Sequence, residues 1–328
     1  MSRSTQPAEW QPHQACWLAW PSHGDLWLDN LEPARASFTA MARAIAAGER
    51  IEVLAPDAAN LARARAALAG VDARFHQVPF GDIWLRDTAP IFCRAGDRLV
   101  AARFRFNGWG GKYVLPGDDA VGDRIAALAG VDVVRGDFVL EGGALEVDGE
   151  GAALTTEECL LNRNRNPGMS KADYQRALAD LLGVDRLLWL RRGLKNDHTD
   201  GHVDTIARFV APGVALCMDP GAGDPNRDAL REIQADLGAL RLDVVTVPSP
   251  GAVTDADGRL LAASYVNFYV GNAAVVVPVY GVAADDDAAA AIAALFPGRT
   301  TVPVRAEAIL TGGGAFHCIT QQQPEVNA

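Results

Sequence analysis

Apolar and polar positions follow two alternating patterns along most of the chain. Short runs of apolar and β-branched residues, such as 50–54 and 273–277, predict strands, and alanine-rich segments with helical spacing, such as 58–69, predict helices. Further strands are predicted at 131–134, 138–140, 186–190, 214–218 and 243–247, and further helices at 123–129, 171–182, 226–237 and 287–295. The alternation predicts an α/β fold.

No linker of low complexity and no shift in composition divides the chain, so we expect one domain over residues 1–328. In places the strand–helix units are spaced by roughly 60 to 70 residues, which indicates a repeated supersecondary module. The segments are not visibly similar to one another in sequence. The pattern alone therefore leaves open a doubly wound sheet or a cyclic arrangement of modules.

The composition is globular and acidic, with a formal net charge of −11. This charge excludes a nucleic-acid partner, since no basic surface is available to neutralise phosphates, and it slightly favours a cationic ligand. The N-terminal residues contain no apolar signal segment, and no apolar stretch is long enough to cross a membrane. The five cysteines form no CxxC pair, which suits reduced thiols. The sequence predicts a cytoplasmic protein without a membrane partner.

Cys318 is the cysteine with the strongest indication of chemistry. It follows Gly312, Gly313 and Gly314, which allow positive φ values and a close approach of the backbone to a ligand. His317 directly precedes the thiol. Free cysteines are often inert core residues, so the loop by itself leaves nucleophile and core residue equally open.

Three other polar segments interrupt the apolar runs. Asp87 precedes a turn that ends at a proline, and Glu141 follows an apolar strand and precedes two glycines; each arrangement also fits an ordinary turn. In segment 197–204, a strand beginning at His202 would place His202 and Asp204 on one face, where both could contact one ligand. The same segment holds two histidines and three aspartates, which could also ligate zinc or a harder cation.

A thiol, a histidine and several carboxylates suit one reaction that needs no metal. A guanidinium is planar, keeps its charge and pairs bidentately with carboxylates. Two aspartates could hold it above a thiolate, and the bound cation would lower the pKa of the thiol. A histidine, with its tautomer fixed by a glutamate, would protonate the departing ammonia and then activate water. The chain supplies these groups as Asp87, Glu141, His202, Asp204 and Cys318.

Seven ordered motifs resemble the agmatine deiminases within the Porphyromonas-type peptidyl-arginine deiminase family. They are WLRDTAP (84–90), FNGWGGKY (106–113), LEGG (140–143) followed by VDGEG, TTEECLLNRNRNP (155–167), DGHVDTIARF (200–209), SYVNFY (264–269) and GGGAFHCITQQQP (312–324). The similarity runs over nearly the whole chain, from residue 7 to residue 323. It implies a pentein fold, a five-bladed α/β propeller of ββαβ modules around a central site.

The resemblance also implies roles for the five polar residues. Cys318 would be the nucleophile, His202 the general acid and base, Glu141 its partner, and Asp87 with Asp204 the guanidinium clamp. The family converts agmatine to N-carbamoylputrescine and ammonia on the route to putrescine. It uses no metal or organic cofactor, and a homo-oligomer, a dimer, is expected.

Residues near the substrate tail decide which guanidine is used. Trp84 and Trp109 are predicted to flank an aliphatic tail, with Gly314 beside the guanidinium. Glu9 and Asp219 are two candidate partners for a distal ammonium. Free arginine, peptidyl arginine and another alkylguanidine remain alternative substrates for the same mechanism.

Two departures from the family pattern lie near this tail. Ala315 stands where an asparagine is familiar, and Gly108 stands where an alanine is familiar. Neither changes a chemical residue, so they bear on the substrate more than on the reaction.

Two functions of other classes are also possible. One is a metal-dependent hydrolase built on segment 197–204. The other is a non-catalytic guanidine-binding protein, which would have no need of a nucleophile.

Overall fold

The strands form five separate sheets. The computed structural model describes residues 4–326. Four sheets have three strands and one has four. The strands are β1 (His13–Ala19), β2 (Arg50–Ala55), β3 (Ala73–Gln77), β4 (Ile91–Ala95), β5 (Arg98–Arg105), β6 (Asp132–Val139), β7 (Glu146–Val147), β8 (Ala152–Thr156), β9 (Arg186–Leu190), β10 (Ala207–Ala211), β11 (Val214–Asp219), β12 (Asp243–Pro248), β13 (Tyr269–Val270), β14 (Ala274–Val279), β15 (Thr300–Arg305) and β16 (Thr320–Pro324).

Helices connect strands within the sheets and also lie in the linkers between sheets. The helices are α1 (Gly24–Trp27), α2 (Leu31–Ile45), α3 (Ala58–Ala67), α4 (Leu85–Thr88), α5 (Gly108–Gly111), α6 (Asp118–Ala129), α7 (Glu157–Leu160), α8 (Lys171–Leu182), α9 (Arg227–Ala239), α10 (Asp285–Leu295) and α11 (Glu307–Leu310), with 3₁₀ turns at Leu28–Asn30, Gly142–Ala144 and Val203–Thr205. No helix within residues 4–326 is both long enough and apolar enough to span a bilayer.

Four sheets repeat one module. In each, an antiparallel hairpin is followed by a helical crossover to a third strand, parallel to the second. The four modules are β4–β5–β6, β7–β8–β9, β10–β11–β12 and β13–β14–β15. They have the predicted ββαβ order.

The remaining sheet joins the two ends of the chain. Its order is β16-β1-β2-β3, with β16 antiparallel to β1 and the other pairs parallel. The register places Cys16 opposite Gln322. The C-terminal strand therefore completes the N-terminal sheet and closes the arrangement of modules.

The predicted helices and strands are all present, with their ends shifted by a few residues. The helix predicted at 171–182 has the same bounds, because Ser170 and Asp173 form a capping box and Gly183 ends the helix in a left-handed conformation. The two apolar runs at 131–134 and 138–140 belong to one strand, β6.

The prediction that His202 begins a strand is wrong. His202 precedes the 3₁₀ turn Val203–Thr205, and β10 begins only at Ala207. The Thr199 hydroxyl accepts a hydrogen bond from the His202 amide at 3.0 Å, and the Thr205 amide donates to the His202 carbonyl at 3.3 Å. These turn hydrogen bonds bend the backbone away from an extended conformation.

The linkers between sheets position the polar side chains. Each linker runs into the first strand of the next sheet, and just before that strand it carries at least one buried polar or thiol group. These groups are Asp87 before β4, Glu141 before β7, His202 and Asp204 before β10, Asn267 before β13 and Cys318 before β16. The fold brings five separate stretches of chain to one place.

Candidate active site

A cavity of roughly 250 Å³ lies above Cys318. Asp87 and Cys318 are among its lining residues, and Trp27, Trp84 and Trp109 line its sides. A site of this size suits a small ligand, since pockets for drug-sized molecules are usually larger. Glu141, His202 and Asp204 do not line the cavity. All three are fully buried.

Asp87 lies in α4 and is fixed by two donors. The Trp109 indole Nε1 donates to Oδ2 at 2.8 Å, and the Gly143 amide donates to Oδ1 at 2.9 Å. His202 Nδ1 lies 3.7 Å from Oδ1. Trp109 therefore lines the cavity and also orients the Asp87 carboxylate.

Asp204 is oriented by the histidine next to the thiol. His317 Nδ1 donates to Asp204 Oδ2 at 2.6 Å, and Cys318 Sγ lies 3.6 Å from the same oxygen. The thiol and the second carboxylate are therefore in direct contact.

Asn267 holds the Cys318 loop. Its Oδ1 accepts from the amides of Ala315 at 3.2 Å and Cys318 at 3.4 Å, and its Nδ2 donates to Cys318 Sγ at 3.2 Å. Ala315 contributes its backbone to the site, so the absent asparagine side chain is not needed for this contact.

Asp87 and Asp204 differ in charge state although they are neighbours. Burial, together with Asp204 and Glu141, raises the pKa of Asp87 to about 8. Burial also acts on Asp204, but the hydrogen bond and charge of His317 leave the pKa of Asp204 below its ordinary value. Two adjacent buried carboxylates cannot both ionise easily, and the empty site assigns the proton to Asp87.

The thiol is protonated in the empty site. Burial, followed by the charges of Asp204 and Asp87, raises the pKa of Cys318 well above its ordinary value. A cation bound between the two carboxylates would reverse the electrostatic contribution.

His202 is neutral in the empty site. Burial lowers its pKa to about 3. Within residues 4–326 neither ring nitrogen has a hydrogen-bond partner. The expected hydrogen bond from His202 to Glu141 is not formed: Arg165 Nε donates to Glu141 Oε1 at 2.8 Å, and Glu141 Oε2 has no partner among the described residues. A neutral imidazole can accept a proton before it donates one.

Cys159 lies close to Glu141 and His202, which its sequence context does not indicate. One ligand atom from each of Glu141, Cys159 and His202 lies within 4.8 Å of the others. This is the one group with spacing suitable for a metal within the described part of the chain. Its Glu141 already forms an ion pair with Arg165, which disfavours a second cation at the same carboxylate.

The described residues of segment 197–204 do not form the metal site considered from the sequence. Asp197 accepts hydrogen bonds from the amide and hydroxyl of Thr199, and Asp200 forms ion pairs with Lys112 and Arg165. The carboxylates of this segment thus have protein partners of their own.

Asp82 is the second carboxylate that lines the cavity. Trp27 Nε1 donates to Oδ1 at 3.2 Å and Trp84 Nε1 to Oδ2 at 2.8 Å. The two indoles stack with ring centroids 6.2 Å apart. Asp82 therefore anchors the wall that Trp84 was predicted to form.

The residues suggested for a distal ammonium lie elsewhere. Glu9 is buried beside Arg86 and Arg208 and does not line the cavity, and Asp219 is exposed at the end of β11. Sequence patterns did not indicate Asp82 as a lining residue, because one of the two tryptophans that hold it, Trp27, is far away in the chain.

The glycines of the Cys318 loop have separate positions. Gly312 and Gly313 line the cavity, whereas Gly314 packs against the thiol. A Cβ at Gly314 would lie 2.8 Å from Cys318 Sγ and 2.9 Å from the Trp84 ring. Gly314 is therefore required for the packing of the nucleophile loop, and its predicted contact with substrate stays a prediction.

Comparisons with known proteins agree with this geometry. The profile of the Porphyromonas-type peptidyl-arginine deiminase family matches residues 5–324. An agmatine deiminase of Stutzerimonas stutzeri is 41% identical over 97% of this chain and 95% of its own, and one of Pseudomonas aeruginosa is 40% identical with the same coverage.

Solved structures give the same result. The agmatine deiminase of Enterococcus faecalis superimposes with a TM-score of 0.90 at 32% identity, covering 98% of this chain and 96% of that one. The agmatine deiminase of C. jejuni gives 0.89 at 27% identity, with the same coverage. These likenesses confirm the predicted α/β pentein fold class.

Replacing Asp87 by asparagine is expected to change the pH dependence of stability. The folded-state pKa of Asp87 is raised, so its contribution is full below about pH 4 and is lost as the pH rises through about 8. The free energy of unfolding of Asp87→Asn relative to the unchanged protein should increase by about 1–3 kcal/mol between pH 5 and 9. Denaturant unfolding at several pH values measures this difference.

Asp204→Asn is the matched control for that series. The pKa of Asp204 is lowered, so its contribution is already complete at pH 5 and is lost only as the pH falls further. Because the charge of Asp204 also raises the pKa of Asp87, this variant should regain some stability relative to the unchanged protein between pH 5 and 9, but less than Asp87→Asn gains. Equal slopes in the two variants would contradict the assignment of the proton to Asp87.

Gly143→Ala is expected to block the site without unfolding the protein. An added Cβ would lie 2.6 Å from His202 Nδ1, 3.0 Å from Asp87 Oδ1 and 3.1 Å from Asp204 Oδ2. Displacement of these groups should reduce kcat/KM by about 100-fold or more. Gly238→Ala in α9 meets no atom within 4 Å and serves as the control, which should keep full activity. Similar kinetics in both variants would show that Gly143 does not border the reacting groups.

Proposed function

The chain belongs to the Porphyromonas-type peptidyl-arginine deiminase family, and from this we propose that it hydrolyses the guanidinium of agmatine to N-carbamoylputrescine and ammonia. Its curated relatives at about 40% identity are agmatine deiminases, which are hydrolases of guanidino groups. The product would serve putrescine and polyamine biosynthesis, because loss of its carbamoyl group leaves a diamine.

The observation that carries the proposal is the set of ionisable groups that line the cavity. Its lining contains the carboxyl groups of Asp82 and Asp87 and no lysine or arginine among residues 4–326. Burial lowers the pKa of the lining residue His198, so it adds no positive charge near neutral pH. Such a cavity suits a substrate that is cationic at both ends and lacks a carboxylate.

Each end of agmatine would lie beside a carboxyl group of the site. The guanidinium would lie between Asp87 and Asp204, over Cys318 Sγ. The Trp84 ring begins beside Gly314 and extends to Asp82, so it can cover the methylene chain. The terminal ammonium would then approach Asp82. Free arginine would bring its α-carboxylate toward this same acidic group.

Binding of the cation would prepare the nucleophile. The guanidinium ionises Asp87, whose proton is released to solvent, and the positive charge of the guanidinium lowers the pKa of the Cys318 thiol. The neutral His202 accepts the thiol proton and becomes an imidazolium. The thiolate attacks the guanidinium carbon, which forms a C–S bond and a tetrahedral adduct.

His202 would then act twice more. As an acid it protonates the departing nitrogen, the C–N bond breaks, and ammonia leaves an S-alkylthiouronium on Cys318. As a base it takes a proton from water, which attacks the same carbon. The C–S bond breaks and gives the urea product and the regenerated thiol. Glu141, fixed by Arg165, would stabilise the imidazolium of each stage.

Ammonia release from agmatine and from arginine, measured side by side, tests this proposal. We expect turnover of agmatine that is insensitive to EDTA, and a kcat/KM for arginine at least about 100-fold lower. Cys318→Ala should lose at least about 1,000-fold in rate, because the covalent route is removed.

Cys217→Ala in β11 is the matched control, since Cys217 is an equally buried free cysteine outside the site. It should keep the rate of the unchanged protein. Preference for arginine would overturn the substrate and keep the mechanism. Activity that survives in Cys318→Ala but is lost with EDTA would instead favour a metal-dependent hydrolase, and binding without turnover a guanidine-binding protein.

A further inference from the structure

His317 bridges two buried carboxylates behind the nucleophile. Its Nδ1 lies 2.6 Å from Asp204 Oδ2, and its Nε2 lies 2.9 Å from Glu9 Oε2. The exposed fraction of the His317 side chain is only 2%. The deiminase chemistry described above assigns His317 no role.

The two contacts determine the protonation state of the ring. A carboxylate only accepts hydrogen bonds, and a neutral imidazole has only one N–H. Both ring nitrogens can donate only if the ring is an imidazolium. Protonation of Asp204 instead would place an acid where the substrate's cation must bind.

Glu9 is itself held ionised. Arg208 Nη2 lies 3.0 Å from Glu9 Oε1, and Arg86 Nη2 lies 3.1 Å from Oε2. Burial opposes ionisation, but Arg208, His317 and Arg86 together lower the pKa of Glu9 well below its ordinary value. Glu9 can therefore act as a fixed counter-ion for the ring.

Burial raises the pKa of Glu146, against the opposing charge of Arg208; with Glu146 ionised, the charges of the buried cluster balance only if His317 is protonated. Arg208 also pairs with Glu146, at 2.7 Å. The cluster then holds three cations and three carboxylates, which are Arg86, Arg208 and His317 with Glu9, Glu146 and Asp204. A neutral His317 would leave an uncompensated negative charge in a buried setting, which is strongly unfavourable.

We propose that His317 is a positioning residue whose positive charge, set by its two carboxylate partners, keeps Asp204 ionised and ready for the guanidinium. The inference rests on the proposed function for its kinetic consequences, but the charge of the ring is a property of the empty enzyme. It explains why one of two adjacent carboxylates keeps its charge while Asp87 takes the proton.

Replacement of His317 by asparagine keeps a donor toward Asp204 and removes the charge. An opposite charge at this distance shifts a carboxyl pKa by about 1–3 units. We therefore expect the acid limb of the kcat/KM profile to move about one pH unit or more toward alkaline pH. At pH 7 kcat/KM should fall roughly 10- to 100-fold, through KM more than kcat, with recovery at higher pH.

Two further variants separate charge from packing. Glu9→Gln keeps the packing of His317, but its amide can donate to Nε2, and Arg86 and Arg208 then balance Glu146 and Asp204 without a charge on the ring. The acid limb should therefore move as it does in His317→Asn. The double variant Glu9→Gln with His317→Asn restores equal numbers of opposite charges in the cluster. It should be more stable than His317→Asn alone and yet keep the displaced acid limb. If the double variant regained stability and its acid limb also returned to the pH of the unchanged protein, His317 would act only through packing.

His13→Asn is the control for the loss of a buried histidine–carboxylate pair. His13 Nδ1 lies 2.8 Å from Glu49, and both side chains are buried. This variant should lose stability without moving the acid limb. A folded His317→Asn with an unmoved limb overturns the proposal.

Nitrogen NMR of the histidine rings tests the charge without substrate or variants that could misfold. With ¹⁵N-labelled unchanged protein at neutral pH, His317 should show two protonated ring nitrogens. One protonated and one bare nitrogen would overturn the inference. Because this experiment uses the empty enzyme, it holds even if agmatine proves not to be the substrate.

Discussion

The structure depends on one electrostatic constraint, the burial of the carboxylates of Asp87 and Asp204 beside the Cys318 thiol. Asp87 responds by keeping a proton, since burial and Asp204 raise its pKa to about 8. Asp204 keeps its charge, because His317 donates to it at 2.6 Å. The arrival of a guanidinium removes the conflict, and this difference between the empty and the filled site supplies much of the specificity for a cation.

The fold accommodates these buried carboxylates by distributing the polar groups of the site over five linkers. Each sheet is complete in itself, so the linkers that precede β4, β7, β10, β13 and β16 are free to carry polar groups inward. The polar groups of one linker form hydrogen bonds with polar groups from another part of the chain. Asn267 holds the loop of Cys318, and Arg165 holds Glu141. Preorganisation of this kind lets the reacting groups meet without reorganisation during the reaction.

Sequence reasoning selected the polar groups that the fold gathers around Cys318, because the chemistry of a guanidinium requires a thiol, a histidine and paired carboxylates. It identified the strands and helices from their periodicity, but that period is the same in a doubly wound sheet and in a cycle of modules. Sequence reasoning missed the residues that hold the site in place. Glu9 and His317 are 308 positions apart and meet only when β16 joins β1. It also considered a strand beginning at His202, where the His202 amide instead donates to the Thr199 hydroxyl and the backbone turns.

The central claim is that Cys318 attacks the guanidinium carbon, and trapping the intermediate tests it most directly. The enzyme would be mixed with agmatine, quenched with acid within one turnover, digested and analysed by mass spectrometry. The account predicts a peptide containing Cys318 that is heavier by the mass of agmatine less ammonia, absent from Cys318→Ala. Product formation with no adduct on this cysteine at any quench time, or an adduct on another residue, would contradict it.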